Sequence, residues 1–385
     1  MKNLPPIYVA GVAETPLGEV RDDNELSMLA RATQEALAEA GMRIRDIDGV
    51  FVNYMGDEGS VQVAEYLGIV PRYSDTTDLG GAAFEAHVHH AIAAIAAGFC
   101  EVALIGYASR QRSRRGRSVS GGSIGASGTP IMHHFERPYG LPMPIGHYAL
   151  VAARHMHEYG TTRAHLAEIA VAARMWAQRN PKAWVRDPLT IEEVLASRPI
   201  AEPLHRLDCC LVTDGGGAAI ITTAARARDA AKRAVRVIGA AESHTQWHIS
   251  QMPPQTELPG ARSGPEAFAM AGILPTDVDV FEPYDAFTIG PLLALEDLGF
   301  APRGGGGAFA ASGALRPGGR LPSMTSGGGL SYNHPGAFGL MLLIEAVRQV
   351  RGEAGERQVP DAKIAVAHGI GGLFSTAATV VLSHD

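Results

Sequence analysis

The chain has 385 residues, 46% of them hydrophobic and 19% charged, enough to bury a sizeable core in two or three globular units. Its net charge of −7 offers no basic face, so nucleic-acid binding is excluded from the expected functions. Three cysteines, Cys100, Cys209 and Cys210, make no disulfide framework and fit a reducing, cytoplasmic setting.

The first residues lack the apolar run of a signal peptide, and the longest apolar stretch, 91–100, is too short to span a bilayer. Residues 7–13 are apolar, are stopped by Glu14-Thr15-Pro16, and predict a buried strand. Helical spacing over 26–40 ends at Gly41, and a second strand is predicted over 50–53. Residues 84–97 are apolar on nearly every side, which predicts a helix in the middle of the domain. Gly98 stops it, and a central strand follows over 102–106.

Between 109 and 148 the periodicity dissolves into Arg, Gly, Ser, Pro and His, as in a cap or loop region that carries binding residues. Helices are predicted over 148–159 and 163–179, and a strand over 218–223 closes the first half. The second half starts near Val235, with a strand over 278–281 and helices over 289–298 and 336–350. Two last strands are predicted around 364–367 and 377–382. Both halves alternate strands and helices, which predicts two similar α/β layers, residues 1–234 and 235–385.

Three patterns that look like sites read as ordinary structure. Arg110, Arg112, Arg114, Arg115 and Arg117 form a basic run expected as a solvated loop, with a phosphate contact as the functional alternative. His87, His89 and His90, like His155 and His157, lack the arrangement of a zinc site, so no metal is expected. Arg303 and the four glycines after it lack the lysine and Ser/Thr of a phosphate-binding loop.

Three C-terminal segments place polar groups on glycine-rich loops: Tyr284-Asp285-Ala286-Phe287-Thr288, Asn333-His334-Pro335-Gly336-Ala337-Phe338-Gly339 and His368-Gly369-Ile370-Gly371-Gly372. To these the chain adds Ala13-Glu14-Thr15-Pro16-Leu17-Gly18, Asn180-Pro181, Pro188-Leu189-Thr190, the stretch 208–219 and the glycine-rich lead-in 321–329. In order and spacing the whole set resembles the thiolase superfamily, above all its sterol-carrier-protein-type branch. The resemblance implies a five-layered αβαβα fold with two pseudo-symmetric halves. It also implies a homodimer and a coenzyme A thioester as substrate, with no tightly bound cofactor.

Residue roles follow from the same resemblance. His334 stands where a histidine holds the thioester oxygen, and a donor there lowers the energy of an enolate or oxyanion. His368 stands where relatives carry a second cysteine that exchanges a proton at the substrate α-carbon, work that an imidazole can do. Tyr284 replaces an asparagine or histidine that binds water or oxyanion; a phenol can donate there but is a poor resting base. Tyr332 is a second phenol expected to face the pocket, since the cysteine-lacking steroid side-chain aldolases use active-site tyrosines. Asp285 stands for the loop's acidic residue, with capping of the following helix as its plainer role. Gly328, Gly369, Gly371 and Gly372 are expected to admit substrate close to the backbone.

The nucleophile is missing. With Gly98 matched to the glycine that ends the buried helix, Gly81 falls at the cysteine position, and neither Gly80 nor Ala82 supplies a thiol. The three cysteines lie elsewhere and read as buried structural thiols. The expected reaction is therefore non-covalent retro-aldol or aldol chemistry on an acyl-CoA, through an enolate. One alternative is an acetyl-CoA acetyltransferase whose nucleophile comes from elsewhere; the other is a non-catalytic acyl-CoA or lipid-binding subunit. The resemblance to steroid aldolases also implies a small OB-fold or zinc-ribbon partner protein.

Overall fold

The computed structural model describes residues 5–53, 55–56, 58–114, 130–141, 143–252 and 256–384. Arg115, Arg117 and the middle of the 109–148 excursion lie outside them. Strands β1 (Ile7–Glu14), β2 (Gly49–Val52), β3 (Tyr73–Asp75) and β4 (Val102–Arg110) precede a small hairpin, β5 (Pro199–Ala201) with β6 (Leu204–His205). The rest are β7 (Asp214–Thr223), β8 (Val235–His244), β9 (Val280–Pro283), β10 (Ile364–Gly371) and β11 (Thr376–Ser383).

Apart from the hairpin, the strands are linked in the order β3-β2-β4-β7-β1-β8-β11-β10-β9. That order repeats itself about the β1–β8 junction. On one side β2 and β4 are parallel, while β4–β7 and β7–β1 are antiparallel. On the other side β9 and β10 are parallel, while β10–β11 and β11–β8 are antiparallel. Among the described residues β3 has no counterpart. The junction is slight, running from Ile7↔Val237 to Val9↔Val235.

The packing is duplicated too. Helix Glu25–Ala40 covers β1, β4 and β7 from outside, and helix Gly260–Ala271 covers β8 and β11. Each outer helix closes onto a glycine of its strand. A Cβ on Gly11 would come 1.9 Å from the Ala36 carbonyl oxygen, and one on Gly239 would come 2.2 Å from that of Ala267. Only glycine permits such backbone contact. Between the two sets of strands lie helices Ala83–Ala96 and Gly339–Arg351, which touch each other and both halves. A helix so enclosed must be largely apolar, as the first one is: Ala, Phe, Val and Ile make up its buried face, with Glu85 and His87 the exceptions. The result is the five-layered αβαβα fold.

The differences from expectation are local. The first central helix starts at Ala83 because Gly80–Ala82 form a tighter turn ahead of it. The second starts at Gly339, since Gly336 takes a left-handed φ of 100° that breaks the helix before it begins. β4 runs on to Arg110, and the excursion contains a short helix, Pro130–Phe135. Of the basic run, Arg112 pairs with Glu19 and Arg114 with Glu25, so these cations are already satisfied. His90 of the histidine group is clamped between Asp75 (2.7 Å) and Glu242 (2.9 Å).

Candidate active site

A cavity of about 980 Å³ opens where the N-terminal end of helix Ala83–Ala96 meets the loops after β2, β9 and β10. That is near the top of the range for small-molecule sites. Its walls include Asn53, Gly81, Tyr107, Tyr148, Tyr284 and His334.

Tyr284 ends the run out of β9, and its backbone N–H donates to the His368 carbonyl (2.9 Å), which ties the β9 loop to β10. The ring lies over Gly81. A Cβ there would sit 2.2 Å from Tyr284 Cε2, 2.4 Å from Cζ and 2.6 Å from the Ile370 carbonyl oxygen. The position without a nucleophile is therefore not a hole, because the phenol ring fills it. The Tyr284 hydroxyl lies 3.2 Å from His334 Nε2, within hydrogen-bond reach.

His334 is fixed from behind. Its N–H donates to the Thr213 hydroxyl (2.8 Å), which in turn donates to the Asn333 side-chain oxygen (2.6 Å). Burial lowers the His334 pKa to about 4, so the imidazole is neutral at pH 7. Burial also holds the Tyr284 pKa well above that of a free phenol, so its proton stays on. Together they form a neutral hydrogen-bonded pair at the cavity wall.

Several expected site residues are placed elsewhere. His368 is not a cavity residue. Along β10 the side chains alternate, so Gly369 and Gly371 face the central helix while His368 faces the outer one. A Cβ on Gly369 would meet Glu85, whereas the His368 ring lies against Gly260 with Nδ1 2.9 Å from the Thr379 hydroxyl. Burial lowers its pKa to about 3, and the ring does not contribute to the cavity wall where proton exchange at the substrate α-carbon was expected.

Tyr332 is not on the wall either, because its phenol donates to Glu14. Asp285 does not cap the helix that follows it. It accepts from the N–H groups of Gly329 (2.6 Å) and Leu330 (3.2 Å), holding the wide helical turn Gly328–Tyr332 that delivers His334. Burial raises its pKa to about 7.

The glycines divide. A Cβ on Gly328 would lie 1.9 Å from Asp285 Oδ2, one on Gly369 2.4 Å from Glu85 Oε2, and one on Gly371 1.7 Å from the Leu79 carbonyl oxygen. These three are glycine because protein, not substrate, fills the space. Gly372 does line the cavity.

Two features escaped the sequence reading. Cys210 reaches the cavity wall and is partly exposed, although burial drives its thiol well above the ordinary pKa. Cys209 and Cys100 are each pushed up to about 12, so none of the three presents a thiolate. Glu85, one helical turn beyond Gly81, is fully buried, and neither carboxyl oxygen has a hydrogen-bond partner among the described residues. Burial raises its pKa to about 8. A carboxylate near the start of a helix expected to be buried was the available signal.

Residues 241–384 match the family model described as thiolase C-terminal domain-like. The 17-hydroxy-3-oxo-4-pregnene-20-carboxyl-CoA lyase of Mycobacterium tuberculosis is 37% identical over 355 residues, covering 89% of this chain and 91% of that protein. The acetyl-CoA acetyltransferase of Methanothermobacter thermautotrophicus is 33% identical over 391 residues, 98% of this chain and 99% of its own. Among solved structures, the Ltp2-ChsH2(DUF35) aldolase superposes with a TM-score of 0.89 at 32% identity, covering 100% of this chain and 99% of that one. Strand order, layering and whole-length similarity agree: the chain belongs to the thiolase superfamily.

Proposed function

We propose that the protein is a carbon–carbon lyase that cleaves or forms the Cα–Cβ bond of a β-hydroxyacyl-CoA without an acyl-enzyme. One observation carries this reading: the Tyr284 ring occupies the space over Gly81 and sets its hydroxyl beside neutral His334. The β-hydroxyl passes its proton to the phenol oxygen as the phenol passes its own to His334. A carbonyl forms at Cβ, the Cα–Cβ bond breaks, and its electron pair moves onto the thioester as an enolate. Return of the proton to Cα releases a shortened acyl-CoA and a ketone or aldehyde.

Support also comes from the M. tuberculosis carboxyl-CoA lyase and the Ltp2-ChsH2(DUF35) aldolase, whose names describe a lyase and an aldolase. In this reading the coenzyme A thioester is the substrate, no cofactor is held tightly, and the protein works as a cytoplasmic homodimer. Residues 1–234 and 235–385 are its two halves, with the cap region at 109–148 over the acyl pocket. A small OB-fold or zinc-ribbon protein completes the assembly, by analogy with the two-component aldolase named above. Among the described residues no helix is long and apolar enough to cross a membrane. The acyltransferase reading needs a thiolate, and burial opposes one at each cysteine.

The test is to incubate the purified protein, alone and with a candidate small partner, with β-hydroxyacyl-CoA and with β-ketoacyl-CoA. Release of a ketone or aldehyde with a shortened acyl-CoA is expected. CoA-dependent cleavage of the ketoacyl compound, with an acylated cysteine trapped by mass spectrometry, would replace the proposal by a thiolase.

A further inference from the structure

Asn53 directly follows β2 and is 2% exposed, yet it lies on the cavity wall beside Gly80 and Gly81. Its side-chain N–H group donates weakly to the Gly80 carbonyl oxygen at 3.5 Å. That contact fixes which way the amide points: turned over, two oxygens would face each other. In the orientation that results, Oδ1 has no hydrogen-bond partner among the described residues. An acceptor left unmet in a buried position is destabilising. Such an atom on a cavity wall is matched when a ligand brings a donor.

We propose that Asn53 is a substrate-recognising residue, whose side-chain carbonyl accepts a hydrogen bond from an O–H or N–H group of the bound acyl-CoA. The inference rests on the acyl-CoA lyase reading. A β-hydroxyacyl-CoA carries two donors close to the reacting bond, the β-hydroxyl and the pantetheine amide N–H nearest the sulfur. The β-hydroxyl fits as a ground-state contact: it donates to Asn53 Oδ1, and it turns toward the Tyr284 phenol oxygen, whose own proton faces His334, to react. The pantetheine amide fits if the acyl group points away from β2. Gln111 carries another buried, unmatched side-chain oxygen on the wall, but only Asn53 is held against the Gly80–Ala82 turn.

The experiment is calorimetric binding of a β-hydroxyacyl-CoA and of the same acyl-CoA without the hydroxyl, to the full-length protein and to Asn53→Leu and Asn53→Ala. Two substitutions keep the test open should either fail to fold, which circular dichroism checks. The native protein is expected to bind at least one of the two ligands about tenfold more tightly than the variants do. Loss confined to the hydroxylated ligand identifies the β-hydroxyl as donor. Equal loss for both ligands identifies the pantetheine amide. Folded variants that bind both ligands as the native protein does overturn the inference and leave the lyase reading intact. Failure of the native protein to bind either thioester sinks the lyase reading instead.

Discussion

Placing a side chain at Gly81 tests whether the lost nucleophile and Tyr284 are one coupled change. Gly81→Ala on sequence grounds alone is mildly stabilising, because φ at this site is not left-handed and alanine narrows the unfolded ensemble by about 0.4–1 kcal/mol. The structure reverses that sign. The new Cβ would lie 2.2 Å from Tyr284 Cε2 and 2.6 Å from the Ile370 carbonyl oxygen, where carbon contacts need roughly 3.5–4 Å. An overlap above about 1 Å must be relieved by moving the ring, and overpacking of that kind destabilises by about 1–3 kcal/mol. Moving the ring also breaks its 3.2 Å contact with His334, so lyase turnover falls together with stability. Denaturant unfolding of Gly81→Ala, Tyr284→Ala and the double variant measures the coupling. We expect about 2 kcal/mol of destabilisation in the native background and less than half of it once the ring is gone, the remainder coming from the Ile370 carbonyl. Gly81→Cys should likewise confer no acyl transfer while Tyr284 is present. A neutral Gly81→Ala, or an equal penalty in both backgrounds, would refute the reasoning.

Tyr284→Phe and His334→Ala are each expected to lower kcat by about 10²–10⁴-fold with the fold intact, read by steady-state release of the shortened acyl-CoA. His368→Gln should reduce thermal stability through its contact with Thr379 and leave kcat within a few-fold, since its ring faces the outer helix. Cys210→Ala should turn over nearly as the native protein does, because no thiolate is invoked; a loss like that of His334→Ala would reinstate cysteine chemistry. Glu85 sets a pH signature. Its folded pKa of about 8 exceeds the ordinary 4.5, so between these values the native state holds a proton that the unfolded state has released. Stability from this group is complete below about pH 4.5 and declines as pH rises toward 8, by roughly 5 kcal/mol in all. Glu85→Gln should flatten that decline relative to the native protein in urea unfolding at pH 5 and pH 8; parallel curves would contradict a carboxyl buried without partners.

Much of the fold was legible because burial leaves a strong imprint on the chain. A helix apolar on nearly every side belongs between layers, as the pattern over 84–97 predicts and the contacts of helix Ala83–Ala96 with both sheet halves bear out. Gly41 and Gly98 stop helices where left-handed backbone is needed, and each has a positive φ. Within the site, His334 was legible because a histidine followed by proline and glycine after a glycine-rich lead-in has few other uses. His368 misled for a reason of geometry. A motif fixes the order of residues but not the face of the strand each one takes, and a shift of one residue changes the side. Tyr332 misled similarly: it is two residues from His334 in sequence, yet a wide helical turn sends its phenol to Glu14.

The sequence by itself determined the alternation of strands and helices, the family resemblance and the absence of a cysteine at Gly81, because these depend on residue identity, order and local periodicity. Only the tertiary structure decided that the Tyr284 ring fills the vacated space, that Asp285 serves the His334 turn, and that Glu85 and Asn53 carry unmatched oxygens. Those facts join segments well beyond any local pattern, from 27 residues apart for Asn53 and Gly80 to the two separate halves for Gly81 and Tyr284. Which atoms meet there is set by how strands register and helices pack, and no local pattern in the chain encodes it.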